Sequence, residues 1–538
     1  MNESFTDFKD VIARDAFVTG AQTRIIDKDE QTRAKWLFDF RNVLLRPELL
    51  NRYAEIFWQL YASRYPFQVC GMESAAISLV SAIVMKSVER GTPVNGLYIR
   101  KSRKRQGMMK RIEGSPTPDP IILIDDLINS GGTFDKQLKV LADAGLHVAE
   151  ILAILAFRNM PAYEALGVPM RALFTLEDFG IPLLTSKSPE VVHHSFDVVW
   201  KFQAPNPSYN YVVPKSAPVI DDEKIYFGSD AGIFYALDQK MGSIVWNFKV
   251  GKHPAEKGIF SSPVLHEGVV YFGAYDGNVY ALDTKSGNEL WRYDRADWVG
   301  SSPAISENLG LLFIGLEFGL FRKRGGIAAL DLSTGKEVWS DRTPELTHCS
   351  PLYIEDENMV VIGSNDARVY AYRAGTGEAL WRFEADGDVK ASFAYDKKTR
   401  MIFFGTLGGT FYALSLDGSV VYAKEIGPVY SIPCVKGDSI YVSSLDKHIY
   451  ALDIATGKDR WSYATSGRIF ASPVIIENSL WCGSNDGRLY EIDSENGKLK
   501  RYFQVSERIV NKITYNQVPK YFFVPTQANE MYCIFVRK

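Results

Sequence analysis

The chain has 538 residues, more than one hydrophobic core can organise, so two or more domains are expected. With 46% apolar residues, 23% charged residues and a formal net charge of −3, it has the composition of a soluble globular protein. That balance excludes global attraction to nucleic acid or an anionic membrane, and any such binding would need a local patch.

The amino-terminal segment MNESFTDFKDVIARD is acidic and lacks the charged-then-apolar pattern of a secretory signal, so a cytoplasmic location is expected. Cys70, Cys349, Cys434, Cys482 and Cys533 are scattered and odd in number, which argues for reduced thiols over a disulfide framework or a metal site. The turn Gly71 to Ala76, GMESAA, leads into the apolar run Ala75 to Met85, which is too short to cross a bilayer and predicts a buried helix, with no membrane contact. Between Tyr98 and Gly114, Arg100, Lys101, Arg103, Lys104, Arg105, Lys110 and Arg111 place seven cations in twelve residues. Such a loop suits phosphate groups, and it would also suit any other polyanion.

The run Ile121 to Thr133, IILIDDLINSGGT, carries the most chemistry. Ile121 to Ile124 predict a buried parallel strand that delivers Asp125 and Asp126 to its carboxyl end, where open α/β sheets place their ligands. Carboxylates there can hold ribose hydroxyls, directly or through Mg²⁺. Asn129, Ser130, Gly131, Gly132 and Thr133 predict a tight turn into a helix whose N–H groups and hydroxyls wrap a 5′-phosphate. The apolar run Ile151 to Ala156 then ends at Phe157 and Arg158.

On these residues the segment from about Phe17 to Leu184 resembles the type I phosphoribosyltransferases, and looks most like orotate phosphoribosyltransferase. FDFRNVLLRPELL, Phe38 to Leu50, looks like the strand and following helix start of the same family. The resemblance implies an α/β domain over residues 1–190 that binds phosphoribosyl diphosphate with Mg²⁺ on Asp125 and Asp126. Lys104 would be the mobile-loop lysine that reaches the diphosphate, beside Arg100 and Lys101. Phe157 and Arg158 fall where the family holds the pyrimidine base and its carboxylate. Glu73 and Ser74 occupy the turn where the family binds diphosphate with lysine and often tyrosine, so Glu73 carries the opposite charge. Gln106 stands where the family has a histidine, and Asn129 stands where purine-using relatives carry an acid, which argues against purine salvage. The family's amino-terminal lysine has no clean counterpart between Val18 and Ala34. The resemblance also implies a homodimer through this domain.

Beyond about Val191 the chain turns into short alternating strands with a period of roughly forty residues. ALDQKMGSIVW (Ala236 to Trp246) recurs from Ala281, Ala329, Ala371 and Ala451, with degenerate copies from Ala413 and Glu491. A second phrase opens each unit, as at Ser261-Ser262-Pro263, Ser301-Ser302-Pro303 and Ala471-Ser472-Pro473, and it occurs eight times. Eight units of four strands predict an all-β eight-bladed propeller over residues 191–538. The phrases resemble the pyrroloquinoline-quinone type repeat, in which a Trp docks between neighbouring blades. The repeat implies fold only, and no quinone is expected. The last unit lacks its Gly-to-Trp phrase, and FDVVWKF, Phe196 to Phe202, supplies a strand with Trp200 that would close the ring. The third unit carries an insertion, Glu317 to Gly325, read as a loop exposing Arg322, Lys323 and Arg324. Residues that break the repeat, His348, Glu317, Phe318, Tyr209 and Tyr211, are the candidates for contacts.

Three functions fit these features. The first is an active phosphoribosyltransferase acting on a pyrimidine-like or other base, with the propeller recruiting or sensing a protein partner. The second is a catalytically weak domain that binds phosphoribosyl diphosphate or a nucleotide as a signal, in a regulatory or defence role. The third is a scaffold whose basic loop docks on nucleic acid.

Overall fold

The structure, a computed structural model, describes residues 3–19, 36–40, 43–100, 110–129, 131–184, 195–207, 213–251, 258–320 and 323–537. The chain forms two compact units, one built on Met1–Val192 and the other on His193–Phe503 with Glu507–Lys538. No helix among the described residues is long and apolar enough to cross a membrane.

In the first unit, α1 (Glu3–Val11) precedes a small antiparallel pair, β1 (Phe17–Thr19) and β2 (Trp36–Phe38). The strand expected from Phe38 onward therefore ends at Phe38 and lies outside the main sheet. Then come α2 (Pro47–Tyr61), β3 (Gln68–Met72), α3 (Ala75–Glu89), β4 (Gly96–Ile99), β5 (Ile112–Glu113), β6 (Ile121–Ile128), α4 (Gly132–Asp143), β7 (Val148–Ala156) and β8 (Met170–Thr175). The six-stranded sheet runs β5-β4-β3-β6-β7-β8, parallel except for the β4/β5 hairpin. Alternation along β6 splits the core into two layers. Ile122 and Ile124 pack into the cluster with Tyr53 and Phe57 of α2 and Leu79 and Ile83 of α3, whereas Ile121 and Leu123 pack with Phe134 and Leu141 of α4.

Two expectations change here. β6 runs four residues past Ile124, because Asp125, Leu127 and Ile128 continue to pair with Ala153, Leu155 and Ala156 of β7. The helix at Ala75 is buried on one side only: Leu79, Val80 and Ile83 are fully enclosed, but Met85 and Val88 are 72% and 70% exposed, because the helix packs through a single face.

The second unit is a ring of eight four-stranded antiparallel sheets. Seven are made from consecutive strands, and the eighth joins the last three strands of the chain to β9 (Phe196–Gln203). β9 lies antiparallel to Glu530–Val536, with Trp200 opposite Cys533 and Phe202 opposite Met531. Gln203 donates to the Ala528 carbonyl at 2.7 Å, and Arg537 N–H donates to Ser195 O at 2.7 Å. The insertion in blade 3 is a correction to the sequence reading, since it lengthens a hairpin instead of forming a loop. Strands Leu311–Phe318 and Arg324–Asp331 stay paired out to Phe318 and Arg324, because extended backbone there satisfies its own ladder; Lys323 and Arg324 are exposed, and Arg322 lies outside the described residues.

One contact recurs between blades. The indole of Trp246 donates to Thr284 O in the next blade at 2.9 Å, and Trp200, Trp291, Trp339, Trp381 and Trp461 do the same to Gln239, Leu332, Ala374, Leu416 and Ser494. Each ring covers a glycine of the neighbour. At Gly287, with φ +73°, a Cβ would stand 2.7 Å from Trp246. Tyr422 takes the Trp position in blade 5 and covers Gly457. In blade 7 the equivalent residue is Arg501, which pairs with Glu491 and donates to Arg537 O at 2.9 Å.

Gly287→Ala combines a left-handed backbone with a collision against the indole, so it should destabilise the propeller by about 2–4 kcal/mol. Gly310, at φ +62° with open space around it, provides the control. Gly310→Ala should cost only about 1 kcal/mol. Urea midpoints of the propeller transition check both, and equal shifts would show that the Trp contact carries no constraint.

Candidate functional site

The winding of the first unit reverses between β3 and β6, since the chain builds outward to β4 on one side and to β7 on the other. Ligands of open α/β sheets sit outside the strand ends at such a point. From β6, Asp125 is 8% exposed and Asp126 half-buried at this end. The Asp125 Oδ1 accepts the Asp126 N–H at 3.0 Å, and the Asp126 Oδ1 accepts the Leu127 N–H at 2.8 Å. Both carboxylates are thereby oriented by the strand's own backbone. Asn129 is exposed, Gly131 takes φ +80°, and α4 starts at Gly132 with Thr133 exposed in its first turn. A left-handed residue directly before a helix lets the strand reverse tightly, and glycine takes that conformation without a Cβ penalty.

The Arg158 side chain ties the two loops at this end of the sheet together. Its Nε donates to Asn129 O at 3.1 Å, and Nη2 reaches Asn129 Oδ1 at 3.4 Å. Phe157 N–H donates to Ile128 O at 3.0 Å, and the Phe157 ring packs on the core. Tyr163 was not found from the sequence. Its buried hydroxyl accepts the Arg158 N–H at 3.1 Å and donates to Ile128 O at 3.1 Å, and burial pushes its pKa up. Only a tyrosine in the loop after the Arg, an unremarkable position, could have pointed to it.

At the end of β3, Glu73 N–H donates to Ile99 O at 3.0 Å, which brings the turn against β4. Gly71 permits the close approach, since a Cβ there would stand 2.8 Å from Ile124 O. Arg100 then lies between two acids, with Nη1 3.4 Å from Glu113 Oε1 and 3.9 Å from Glu73 Oε2. All three are partly exposed, so each contact contributes at most about 1 kcal/mol. Among the described residues, the turn after β3 thus sets one cation between two carboxylates. The Glu113 contribution was not foreseen, because Glu113 approaches Arg100 only across the β4/β5 hairpin.

Ser74 is the residue before α3. Ser130, Lys101 and Lys104, with their loop neighbours Arg103, Arg105 and Gln106, lie outside the described residues, as do Tyr209 and Tyr211. Among the described residues no group of three or more His, Cys, Asp or Glu side chains is arranged to hold a metal ion alone. In the propeller, Glu317 and His348 meet, with His348 Nδ1 3.0 Å from Glu317 Oε2, and the Arg342 guanidinium stacks 3.6 Å from the Phe318 ring centre.

Comparison with known proteins separates the two units. Orotate phosphoribosyltransferase of Bradyrhizobium sp. is 24% identical over 177 residues, covering 32% of this chain and 94% of the relative. Orotate phosphoribosyltransferase of Thermosynechococcus vestitus is 28% identical over 186 residues, covering 33% and 96%. Among solved structures, BamB from Moraxella catarrhalis matches with a TM-score of 0.51 and 19% identity, covering 63% of this chain and 97% of that one, a likeness of fold alone. A family model described as "Outer membrane protein assembly factor BamB" matches residues 196–352, 323–428 and 365–534. The amino-terminal third thus resembles orotate phosphoribosyltransferase, and through its eight-bladed propeller the chain belongs to the repeat family described as outer membrane protein assembly factor BamB.

Proposed function

We propose that the amino-terminal unit binds a ligand built on ribose 5-phosphate, either phosphoribosyl diphosphate or a nucleotide, and releases diphosphate slowly if at all. The observation that carries this reading is the pairing of Asp125 and Asp126 with the Gly131 turn into α4 at the sheet's reversal point. The carboxylates would take the ribose hydroxyls, and the first turn of α4, with Thr133, would take the 5′-phosphate. Two adjacent carboxylates, with no third His, Cys, Asp or Glu grouped with them among the described residues, suit Mg²⁺ that enters with the ligand's own oxygens. When bound, the ion would offset charge on the diphosphate.

In the family's reaction the bond from the anomeric carbon to diphosphate breaks as a base nitrogen attacks, so negative charge builds on the leaving oxygens. Arg100, flanked by Glu73 and Glu113, is poorly placed to stabilise that charge. This supports the sensor reading. Transfer to a pyrimidine-like base is the second reading, supported by Phe157 and Arg158 at the base end of the site, where Arg158 is fixed by Asn129. The resemblance further supports a homodimer through this unit, with the propeller offering its surface to a protein partner.

Calorimetry with phosphoribosyl diphosphate and Mg²⁺ tests the site. Asp125→Asn with Asp126→Asn should abolish binding; undiminished binding by that variant would remove the assignment. Glu73→Lys should tighten diphosphate-bearing ligands about tenfold, equivalent to about 1.4 kcal/mol, and leave a nucleoside 5′-monophosphate nearly unchanged. An assay of diphosphate release with a panel of bases distinguishes the two readings, since turnover by the wild-type protein would select the enzyme.

A further inference from the structure

A cavity of about 880 Å³ opens on the axis of the propeller, and each of the eight blades contributes to its wall the residue directly ahead of its opening Ser-Ser-Pro-type phrase. The phrase itself serves the fold. Its second serine accepts a main-chain N–H from the preceding blade, from Ala217 to Ser262 at 3.0 Å, Ser262 to Ser302 at 2.8 Å, Ser302 to Ser350 at 2.9 Å and Ile432 to Ser472 at 2.9 Å. The residue ahead of it does not repeat. Blades 1, 4 and 5 present Lys215, His348 and Lys390, whereas blades 2, 6 and 7 present Phe260, Tyr430 and Phe470. Blades 3 and 8 present Gly300 and Val510. Positions related by the ring have equivalent backbone surroundings, so packing alone would favour one residue type at all eight.

The exceptions are also fitted to one another. Glu317 comes from the lengthened hairpin of blade 3, and its side chain is fully buried. Gly300 N–H donates to Glu317 Oε1 at 3.1 Å, and a Cβ at Gly300 would stand 2.9 Å from that oxygen and 2.8 Å from the Tyr275 hydroxyl. The glycine of blade 3 therefore makes room for the carboxylate supplied by the insertion. Glu317 Oε2 is met by His348 Nδ1 of the next blade, 3.0 Å away. Burial, and then the charges of Glu317 and Asp388, push the Tyr430 pKa up to about 12, so its hydroxyl stays protonated. Lys390 is 3.2 Å from Asp388, and Lys215 pairs with the buried Asp230 and donates to Gln527 O at 3.0 Å. The wall residues thus show cations, hydroxyls and rings to the cavity, with the carboxylates behind them. Tyr430 and Phe470 form one ring pair at 5.6 Å, and Phe260 and Tyr275 another at 5.0 Å.

We propose that this cavity is a second ligand site, for a small molecule that joins a planar heteroaromatic ring to an anionic group. The ring would lie against the aromatic positions, and the anionic group would meet His348 and Lys390 of adjacent blades. Glu317 faces Nδ1 of His348, which leaves Nε2 for the ligand. The volume suits a molecule of nucleotide size. This site is independent of the amino-terminal reading.

The test is calorimetry on the full chain with four probes: uridine 5′-monophosphate (ring with phosphate), orotate (ring with carboxylate), uridine (ring alone) and inorganic phosphate (anion alone). At least one of the first two should bind about tenfold more tightly than either single-feature probe, and which one binds identifies the anion. His348→Ala with Lys390→Ala should lose that binding, while Asp125→Asn with Asp126→Asn should keep it. Lys390→Met, which leaves the Glu317 and His348 pair intact, should weaken it about tenfold even if the double variant proves unstable. The proposal is overturned if neither ring-bearing anion binds, if binding survives Lys390→Met unchanged, or if only the aspartate variant loses it. The last result would place the ligand in the amino-terminal unit and leave that reading standing.

Discussion

A Trp of one blade pressed on a glycine of the next is the contact on which the propeller depends. It fixes spacing through the ring's thickness and orientation through the indole N–H, and it works only because the glycine carries no Cβ and takes a left-handed backbone. Repetition makes it cumulative, so the ring must also be joined where the chain's sequence order breaks. β9 does this by pairing with Glu530–Val536 and by bringing Trp200 onto Gly242. Residues more than 300 positions apart are thereby made neighbours, and no blade retains an open seam.

The first unit solves a different problem, placing charge at one end of a sheet. Parallel strands align the carboxyl ends of β3 and β6, so the sequence element after each strand becomes part of one crevice. The β6 side carries Asp125 and Asp126 and the Gly131 turn into α4. The β3 side has Glu73, which meets Arg100, and the hairpin adds Glu113 to the same cation. Among the described residues, the turn after β3 therefore offers one cation held between two carboxylates, whereas the turn after β6 offers a glycine bend into a helix start.

In the propeller, the departures from the repeat are not scattered. The blade 3 insertion, the glycine at the start of the same blade and the histidine at the start of the next converge on one carboxylate. A Cβ at Gly300 would collide with the Glu317 carboxylate, and loss of Glu317 or His348 would take away the other's partner.

Much of this was legible from residues in order. The phrase ALDxxxGxxxW contains both partners of the blade contact, and Trp200 ahead of the first full repeat marked the missing eighth strand, because hydrophobic period and turn chemistry are local properties. IILIDD followed by a glycine pair likewise marked the strand and the turn after it. What failed was tertiary in origin. β6 continued through the aspartates because β7 offered it ladder partners, α3 stayed exposed at Met85 and Val88 because it packs through one face, and the insertion became strand because its two arms could pair. The sequence by itself determined the element types, the repeat count and the chemistry available at each turn, since these rest on residue type and spacing. Only the tertiary structure decided that Glu73 and Glu113 share Arg100, that Arg158 closes on Asn129, and that Glu317 reaches His348 through the space left by Gly300, because charges and voids act through distances that spacing along the chain does not encode.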